Sequence, residues 1–311
     1  MINVRHGNGV AIDIDRKKFL LDPLVTDFVS FVSHAHLDHV PKAVYRLPYA
    51  TEETRELIKV RDPTFNAKVV DINTRYEEDD FSFELMCANH ILGSAQIYLE
   101  VDDVKILYTG DFKVTPNKTT KRLKMPDKVD YLIIESTYGK PEYVFPDEED
   151  VISDFLSWID KKIFIGKKVA IGVYPLGKAQ EIIKILNEHG IEPKASALVE
   201  KYNDVYRKFG VRLKTANDSE VIVKSMHEVL NRPLNGHANA VVTGWALTEN
   251  FGDVVGFPLS DHADFNQLLE YVARLNPKTV YVTHGFVEEF TEEIKKRLGI
   301  NAIALKELKL L

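Results

Sequence analysis

The segment Ser33-His34-Ala35-His36-Leu37-Asp38-His39 places four potential metal ligands close together, directly after the strand-like run 27–33. His34 and His36 stand two residues apart and can chelate one metal ion. Asp38 and His39 can reach a second ion about 3.5–4 Å away, the spacing of two-metal phosphodiester sites. Imidazole and carboxylate ligands suit zinc or a similar first-row ion. The alternative interpretation is a polar turn whose histidines are hydrogen-bonded.

Two further potential ligands follow downstream. His90 stands between two strand-like runs, and Asp111 follows directly on the strand-like run 104–108. A loop histidine or a turn aspartate is ordinary by itself. Together, and in this order, they complete a ligand set for two metal ions, because the two oxygens of one carboxylate can bridge both ions.

The ordered pattern His34-x-His36-x-Asp38-His39, then His90, then Asp111 resembles the signature of the metallo-β-lactamase superfamily. The resemblance covers residues 1–140. It implies an αββα sandwich with a dinuclear site for two divalent ions at one edge, with zinc expected first and manganese as the alternative. The flavodiiron branch carries a glutamate in the first motif, and its absence here disfavours redox chemistry.

The order of strands and helices indicates one domain inserted into another. Short strand-like runs with period-two alternation fill the chain up to Glu135. From Asp147 helix and strand alternate, and the C-terminal part returns to a helix, a strand and a terminal helix. We therefore predict an α/β (α+β) fold with a discontinuous metallo-β-lactamase core, 1–145 and 255–311, and an inserted α/β domain, 146–254.

Three later motifs resemble motifs A, B and C of the β-CASP nucleases. Glu135 lies in Ile134-Glu135-Ser136-Thr137-Tyr138-Gly139, His262 in Ser260-Asp261-His262-Ala263-Asp264, and His284 in Val282-Thr283-His284-Gly285. The resemblance implies that the inserted domain is a β-CASP domain and that His284 is the remaining ligand of the second metal. It also implies that Glu135 orients His262 and that His262 protonates the leaving oxygen. Asp38 joins these two residues in the predicted catalytic set.

Other stretches resemble the small exonucleases associated with DNA ligase and helicase genes, and archaeal factors assigned to messenger-RNA 3′-end processing. Examples are Asp22-Pro23-Leu24-Val25 and Tyr174-Pro175-Leu176-Gly177-Lys178-Ala179-Gln180. Because the core motifs begin close to Met1, we expect no K-homology region ahead of them. The resemblance therefore predicts an exonuclease acting on single-stranded DNA or RNA, with a helicase, a ligase or RNA-processing proteins as partners.

The charge of the chain sets a limit on how it meets nucleic acid. Forty basic and forty-seven acidic residues give a net charge of −7, which argues against a protein that coats nucleic acid. The segment from Lys113 to Lys128 is locally basic, and we expect its Lys121, Arg122 and Lys124 to follow the phosphate backbone.

A second predicted phosphate contact lies at the turn into a helix, at Gly177 and Lys178. Glycine lets a phosphate approach the backbone, and a helix N-terminus favours an anion. The alternative interpretation is an ordinary strand-to-helix turn.

The sequence also predicts a cellular location and leaves two alternative functions open. The sequence has no membrane-length apolar run, no secretory signal at its start and one cysteine, Cys87, so we expect a cytoplasmic protein without membrane contact. One alternative function is a small-substrate hydrolase of thioesters or lactones, which would have no need of Glu135, His262, His284 and the inserted domain. Another is a non-catalytic nucleic-acid-binding scaffold, which is disfavoured because no ligand position is lost.

Overall fold

A computed structural model describes residues 2–306 of the chain. The strands are β1 Ile2–Gly7, β2 Gly9–Ile14, β3 Lys17–Leu21, β4 Val25–Thr26, β5 Val29–Phe31, β6 Ala43–Val44, β7 Tyr49–Ala50, β8 Lys68–Val69, β9 Arg75–Glu77, β10 Ser82–Cys87, β11 Ala95–Val101, β12 Val104–Tyr108, β13 Tyr131–Ser136, β14 Lys168–Val173, β15 Lys194–Ala195, β16 Val221–Ser225, β17 His237–Val242, β18 Val255–Phe257, β19 Thr279–Gly285 and β20 Ala302–Ala304. The helices are α1 Glu52–Lys59, α2 Glu148–Phe164, α3 Lys178–Glu188, α4 Ala197–Lys208, α5 Met226–Asn231, α6 Phe265–Leu275 and α7 Val287–Leu298.

The described residues form two compact units. The first runs through Pro116, from Thr120 to Pro141 and from His262 onward, and the second comprises Asn117–Thr119 and Glu142–Asp261. The predicted insertion, 146–254, falls inside the second unit.

Two sheets make up the frame of the first unit. One has the strand order β1-β2-β3-β5-β7-β8, and the other has the order β20-β19-β13-β12-β11-β10-β9. Phe19 and Phe31 of the first sheet share one apolar cluster with Phe83 and Ile97 of the second. Burial of this two-sided cluster is the main favourable free-energy term holding the sheets face to face.

The other face of the larger sheet is covered by helices. Leu132 of β13 and Val282 of β19 share a second apolar cluster with Leu268 and Val272 of α6 and Phe290 of α7. The fold is the αββα sandwich expected from the sequence. Since both faces of the larger sheet are buried, the sequences of its central strands are nearly continuous apolar runs.

The strand directions bring the predicted ligands to one edge. Strands β12, β13 and β19 are parallel neighbours, so their carboxyl ends meet at the same edge of the sheet. Asp111 follows β12, Glu135 lies near the end of β13, and His284 lies near the end of β19. Residues far apart in sequence therefore converge there.

The second unit is a parallel α/β layer. Its five strands have the order β15-β16-β14-β17-β18, all parallel. The predicted helix from Asp147 is α2, whose first turn is capped by the Asp147 carboxylate and whose buried stripe contains Val151, Phe155 and Ile159. No helix within residues 2–306 is long and apolar enough to cross a membrane.

Candidate metal centre and general-acid site

One ligand group gathers His34, His36, His90 and Asp111, with one ligand atom of each lying within 4.8 Å of the others. The Nδ1 atom of His36 lies 3.1 Å from the Nε2 atoms of both His34 and His90. The Oδ2 atom of Asp111 lies 3.4 Å from His34 Nε2 and 3.8 Å from His90 Nε2. Three imidazoles and one carboxylate facing a common point form a donor set that suits a divalent ion.

The remaining predicted ligands lie close to the first group, with the His39 ring 4.1 Å from the His34 ring, centroid to centroid. His39 Nε2 lies 3.6 Å from Asp111 Oδ2 and 3.6 Å from Asp38 Oδ2. The His39 ring stacks on His284 with their centroids 5.0 Å apart, and His6 meets His284 edge-on at 5.7 Å. The Oδ2 atom of Asp111 thus lies within 4 Å of His34, His39 and His90, and its role as a bridge between two ions stays a prediction. Asp38 is the exposed member, with 73% of its side chain accessible.

Asp22 is a buried part of this centre that was not predicted as a site residue. Its carboxylate accepts hydrogen bonds from the backbone amide and hydroxyl of Ser33, each at 2.6 Å, and from the Tyr108 hydroxyl at 2.9 Å. It also lies 2.7 Å from His39 Nδ1. A carboxylate on Nδ1 fixes the tautomer and the ring orientation, so that His39 Nε2 points into the centre.

The electrostatic environment favours the ligating forms of Asp111, His34 and His284. Burial would raise the pKa of Asp111, but His39 and His34 beside it hold that pKa well below the usual range. Burial holds the pKa of His34 well below its usual value and, together with His39, lowers that of His284. Burial alone would lower the pKa of His39, but Asp111 and Asp22 raise it to about 10. A metal that binds His39 must therefore displace a proton.

Beside the ligands lies a histidine–carboxylate pair. His262 Nδ1 lies 2.9 Å and 3.1 Å from the two carboxylate oxygens of Glu135, which is itself 1% exposed. Glu135 also accepts hydrogen bonds from the Phe112 amide and from the amide and hydroxyl of Thr137. The His262 ring lies 4.6 Å from the His90 ring, centroid to centroid. Glu135 is therefore fixed from several sides and holds His262 next to the ligand group.

The backbone is irregular at the end of β19, at the sheet edge that carries the candidate ligands. The pairing of β13 with β19 shifts register between Glu135 and Ser136. His284 takes a left-handed φ of 52°, and Gly285 follows with a φ of 80°. A Cβ atom at Gly285 would lie 2.3 Å from the Ser136 carbonyl oxygen, so only glycine fits there. This bulge positions His284 toward His39.

Several known proteins resemble this chain. A family model described as the Zn-dependent metallo-hydrolase RNA specificity domain matches residues 252–305, which include His262 and His284. A protein of Methanocaldococcus jannaschii named probable RNase MJ4 is 27% identical, with 89% of each chain covered. A protein of Opitutus terrae named probable DNA ligase is 32% identical over 89% of this chain and 29% of its own length.

The chain belongs to the β-CASP group of the metallo-β-lactamase superfamily. A second M. jannaschii protein, named RNase J-like protein, is 37% identical over 51% of this chain and 43% of its own length. This chain thus spans less than half the length of two of these curated relatives. A crystal structure of an Enterococcus faecalis protein of unknown function shares the fold, with a TM-score of 0.68, 14% identity and 96% of each chain covered.

The residues predicted to contact phosphate lie in two places, one in each unit. In the second unit, Lys178 is 1% exposed and its ammonium donates to Glu181 at 2.6 Å, while the Gly177 amide donates to the Gln180 side chain at 2.7 Å. Both groups are engaged within their own helix. This geometry gives no support to a direct phosphate contact, which stays a prediction.

In the first unit, the basic loop lies against the larger sheet. Lys121 and Arg122 are exposed, and Lys124 forms a 2.5 Å ion pair with Glu84. The Lys124 amide donates to the Cys87 carbonyl at 3.0 Å, which fixes the loop along the end of β10. Of the three predicted cations, the ion pair thus engages Lys124 and leaves Lys121 and Arg122 as the exposed ones.

Proposed function

We propose that this chain is a metal-dependent nuclease that hydrolyses phosphodiester bonds of single-stranded DNA or RNA from an end. The observation that supports this proposal best is the buried pair of Glu135 and His262 beside the ligand group of His34, His36, His90 and Asp111. Cleavage of a phosphodiester leaves an alkoxide that must be protonated, and a histidine held by a buried carboxylate can donate that proton, whereas the thiolate released from a thioester needs no such donor.

The donor chemistry fits two divalent ions. We assign His34, His36 and His90 to one ion, Asp38, His39 and His284 to the other, and Asp111 to both. Imidazole nitrogens and carboxylate oxygens favour zinc, and a carboxylate-containing site also accepts manganese. When bound, such ions lower the pKa of water and neutralise charge on phosphate oxygens.

We assign the proton transfer to His262. Its Nδ1 faces Glu135, so an imidazolium there is stabilised by the buried carboxylate and held in one orientation. The proton on the other ring nitrogen is the one that passes to the leaving oxygen as the P–O bond breaks. Glu135 then acts as a positioning residue, and its bonds to Phe112 and Thr137 keep its carboxylate in place.

The names of the matching family model and relatives favour two different substrates, RNA and DNA. The match to an RNA specificity domain over 252–305 and the relatives named as RNases favour RNA. The relative named as a probable DNA ligase favours DNA and supports a ligase as partner, as an alternative to RNA-processing proteins. We also propose that residues 146–254, which lie inside the second unit, form the β-CASP domain. We further propose that the protein works in the cytoplasm, and its single cysteine is buried.

The decisive experiment uses single-stranded DNA and RNA of one sequence, labelled separately at the 5′ and 3′ ends. The pure protein is incubated with zinc or manganese and, in parallel, with a chelator, and with a lactone and a thioester as alternative substrates. We expect metal-dependent release of label in single-nucleotide steps from one end. Turnover of the small substrates without cleavage of either strand would contradict the proposal, as would cleavage that persists in chelator.

A further inference from the structure

A cavity of about 430 Å³ opens in the first unit beside the candidate metal centre. Its apolar lining includes Val114, Leu123 and Met125, and its polar lining is Asn89, Arg122 and Arg274. This volume and mixed lining are typical of small-ligand pockets. None of the residues that line the cavity carries a carboxylate, so the cavity is positively charged.

The two arginines have no partner that would neutralise them. Within residues 2–306, the side chains of Arg122 and Arg274 make no hydrogen bond or ion pair, and both are exposed. Most cations near them in sequence differ in this respect, as the Lys124–Glu84 ion pair shows. Two planar guanidinium groups at one cavity present a fork of donors that matches the oxygens of a phosphate.

The wall that carries Arg122 is fixed before any ligand arrives. The Asn89 side-chain amide donates to the carbonyls of Lys113 and Thr115 at 2.9 Å and 2.6 Å and accepts from the Thr120 hydroxyl at 2.6 Å. One short side chain thus ties both ends of the loop segment that precedes Arg122. Such preorganisation reduces the entropy lost on binding.

The wall that carries Arg274 is linked to the same loop through the sheet. The Gln96 side-chain amide donates to the Lys124 carbonyl at 2.6 Å, and the Tyr271 hydroxyl donates to Gln96 at 2.5 Å. Tyr271 and Arg274 lie one turn apart on α6. The loop and the helix are therefore held at a fixed spacing by Gln96, a fully buried residue.

We infer that this cavity binds one phosphodiester unit of the single strand, with the phosphate between Arg122 and Arg274 and the sugar or base against the apolar lining. The inference rests on the proposed function and extends it. Asn89, which lines the cavity, directly precedes the candidate ligand His90, so the cavity lies close enough to the metal centre for one strand to reach both. Of the basic loop, Arg122 rather than Lys121 or Lys124 then carries the contact.

The test measures binding of a fluorescein-labelled single-stranded oligonucleotide, DNA and RNA in separate titrations, across a range of salt concentrations. All proteins carry His262→Ala to suppress turnover. The pocket variant is Arg122→Gln/Arg274→Gln. The control is Arg16→Gln/Arg232→Gln, which removes two exposed arginines elsewhere and so matches the change in net charge. The variant Arg122→Lys/Arg274→Lys keeps the charge but loses the forked geometry.

For the pocket variant we expect Kd to rise about tenfold or more, because two charge-assisted hydrogen-bonding groups are lost. The slope of log K against log salt should fall by about 0.7, the value for one phosphate contact on a single strand. The control should bind like the parent, and the lysine variant should keep the slope with a raised Kd.

The possible failures are distinguishable. If the unsubstituted protein cleaves and the parent binds, but the pocket variant binds as tightly as the control, the cavity is not a phosphate site and the proposed function stands. If the parent binds neither strand, both the proposed function and the pocket fall. If the glutamine variant melts well below the parent, the lysine variant decides, and an unchanged Kd there overturns the inference.

Discussion

Two buried clusters of charged groups, one in each unit, are built in opposite ways. In the first unit, Asp111 is surrounded by imidazoles whose ring nitrogens converge at 3.1–3.8 Å. In the second unit, Lys178 and Glu181 form a 2.6 Å ion pair with 1% and 3% of their side chains exposed. Imidazole and carboxylate donors that converge on one point can share a cation, whereas a buried lysine–glutamate pair is complete by itself. The difference separates a binding site from a structural contact.

The largest effect is expected where the first cluster loses its shared carboxylate. Asp111→Ala should remove a ligand from both ions, so metal content after dialysis should fall to background. Cleavage should fall more than about 10⁴-fold, beyond the range typical of losing one general acid. The matched control is Asp127→Ala, which removes an exposed acid of the neighbouring loop. Full metal content in the Asp111 variant would show that these donors are not a metal centre.

His262→Ala should lower kcat about 10²–10⁴-fold while both metals stay bound, because proton donation is lost and the ligands are not. Glu135→Gln should give a smaller loss of kcat, since the amide holds the His262 ring less firmly than the carboxylate does. Elemental analysis and single-turnover kinetics check both. The role assigned to His262 is wrong if metal is lost and turnover returns in excess zinc.

The second cluster predicts a change in stability without a change in binding. Lys178→Met should lower the free energy of unfolding by about 3–5 kcal/mol, because the buried Glu181 carboxylate loses its partner. Lys178→Met/Glu181→Leu should regain much of that loss and bind oligonucleotide like the parent. Urea unfolding and binding titrations provide the two readouts. A stable Lys178→Met variant with weakened binding would restore Lys178 as a phosphate contact.

The smallest effect is expected at the support of the first cluster. Asp22→Asn keeps the shape of the side chain but weakens its hold on His39 Nδ1, so zinc affinity should fall about 10–100-fold. Asp27→Asn, at an exposed position nearby, is the control. Competition with a chromogenic chelator measures both affinities. Equal zinc affinity in the two variants would mean that Asp22 serves only the fold.

The sequence predicted the ligands because they are crowded into short motifs at strand ends. The spacing of His34, His36 and His39 indicates a ligand motif, and periodicity predicts α2. The αββα fold is implied by the resemblance of the ligand motifs to the metallo-β-lactamase superfamily. Asp22 carries no comparable signal, since its partners Ser33 and Tyr108 lie 11 and 86 residues away. Only the folded sheets bring them together.

The phosphate contacts were harder to predict from the sequence, because they too depend on the folded structure. Whether a lysine is exposed depends on packing, which periodicity does not report. A signal for Lys178 was present, because Glu181 stands at i+3 on the same helix and such pairs are neighbours. Arg274 gave no signal at all, since its link to Arg122 exists only through the cavity that both residues line.

The most direct test of the account is the initial rate of cleavage of an end-labelled single strand, measured while metal-free protein is titrated with zinc. The account predicts that the rate rises to a plateau as two zinc ions bind per chain, with His262→Ala binding the same amount of zinc and remaining nearly inactive. Full activity without zinc, or no cleavage of DNA or RNA when both sites are filled, would contradict it.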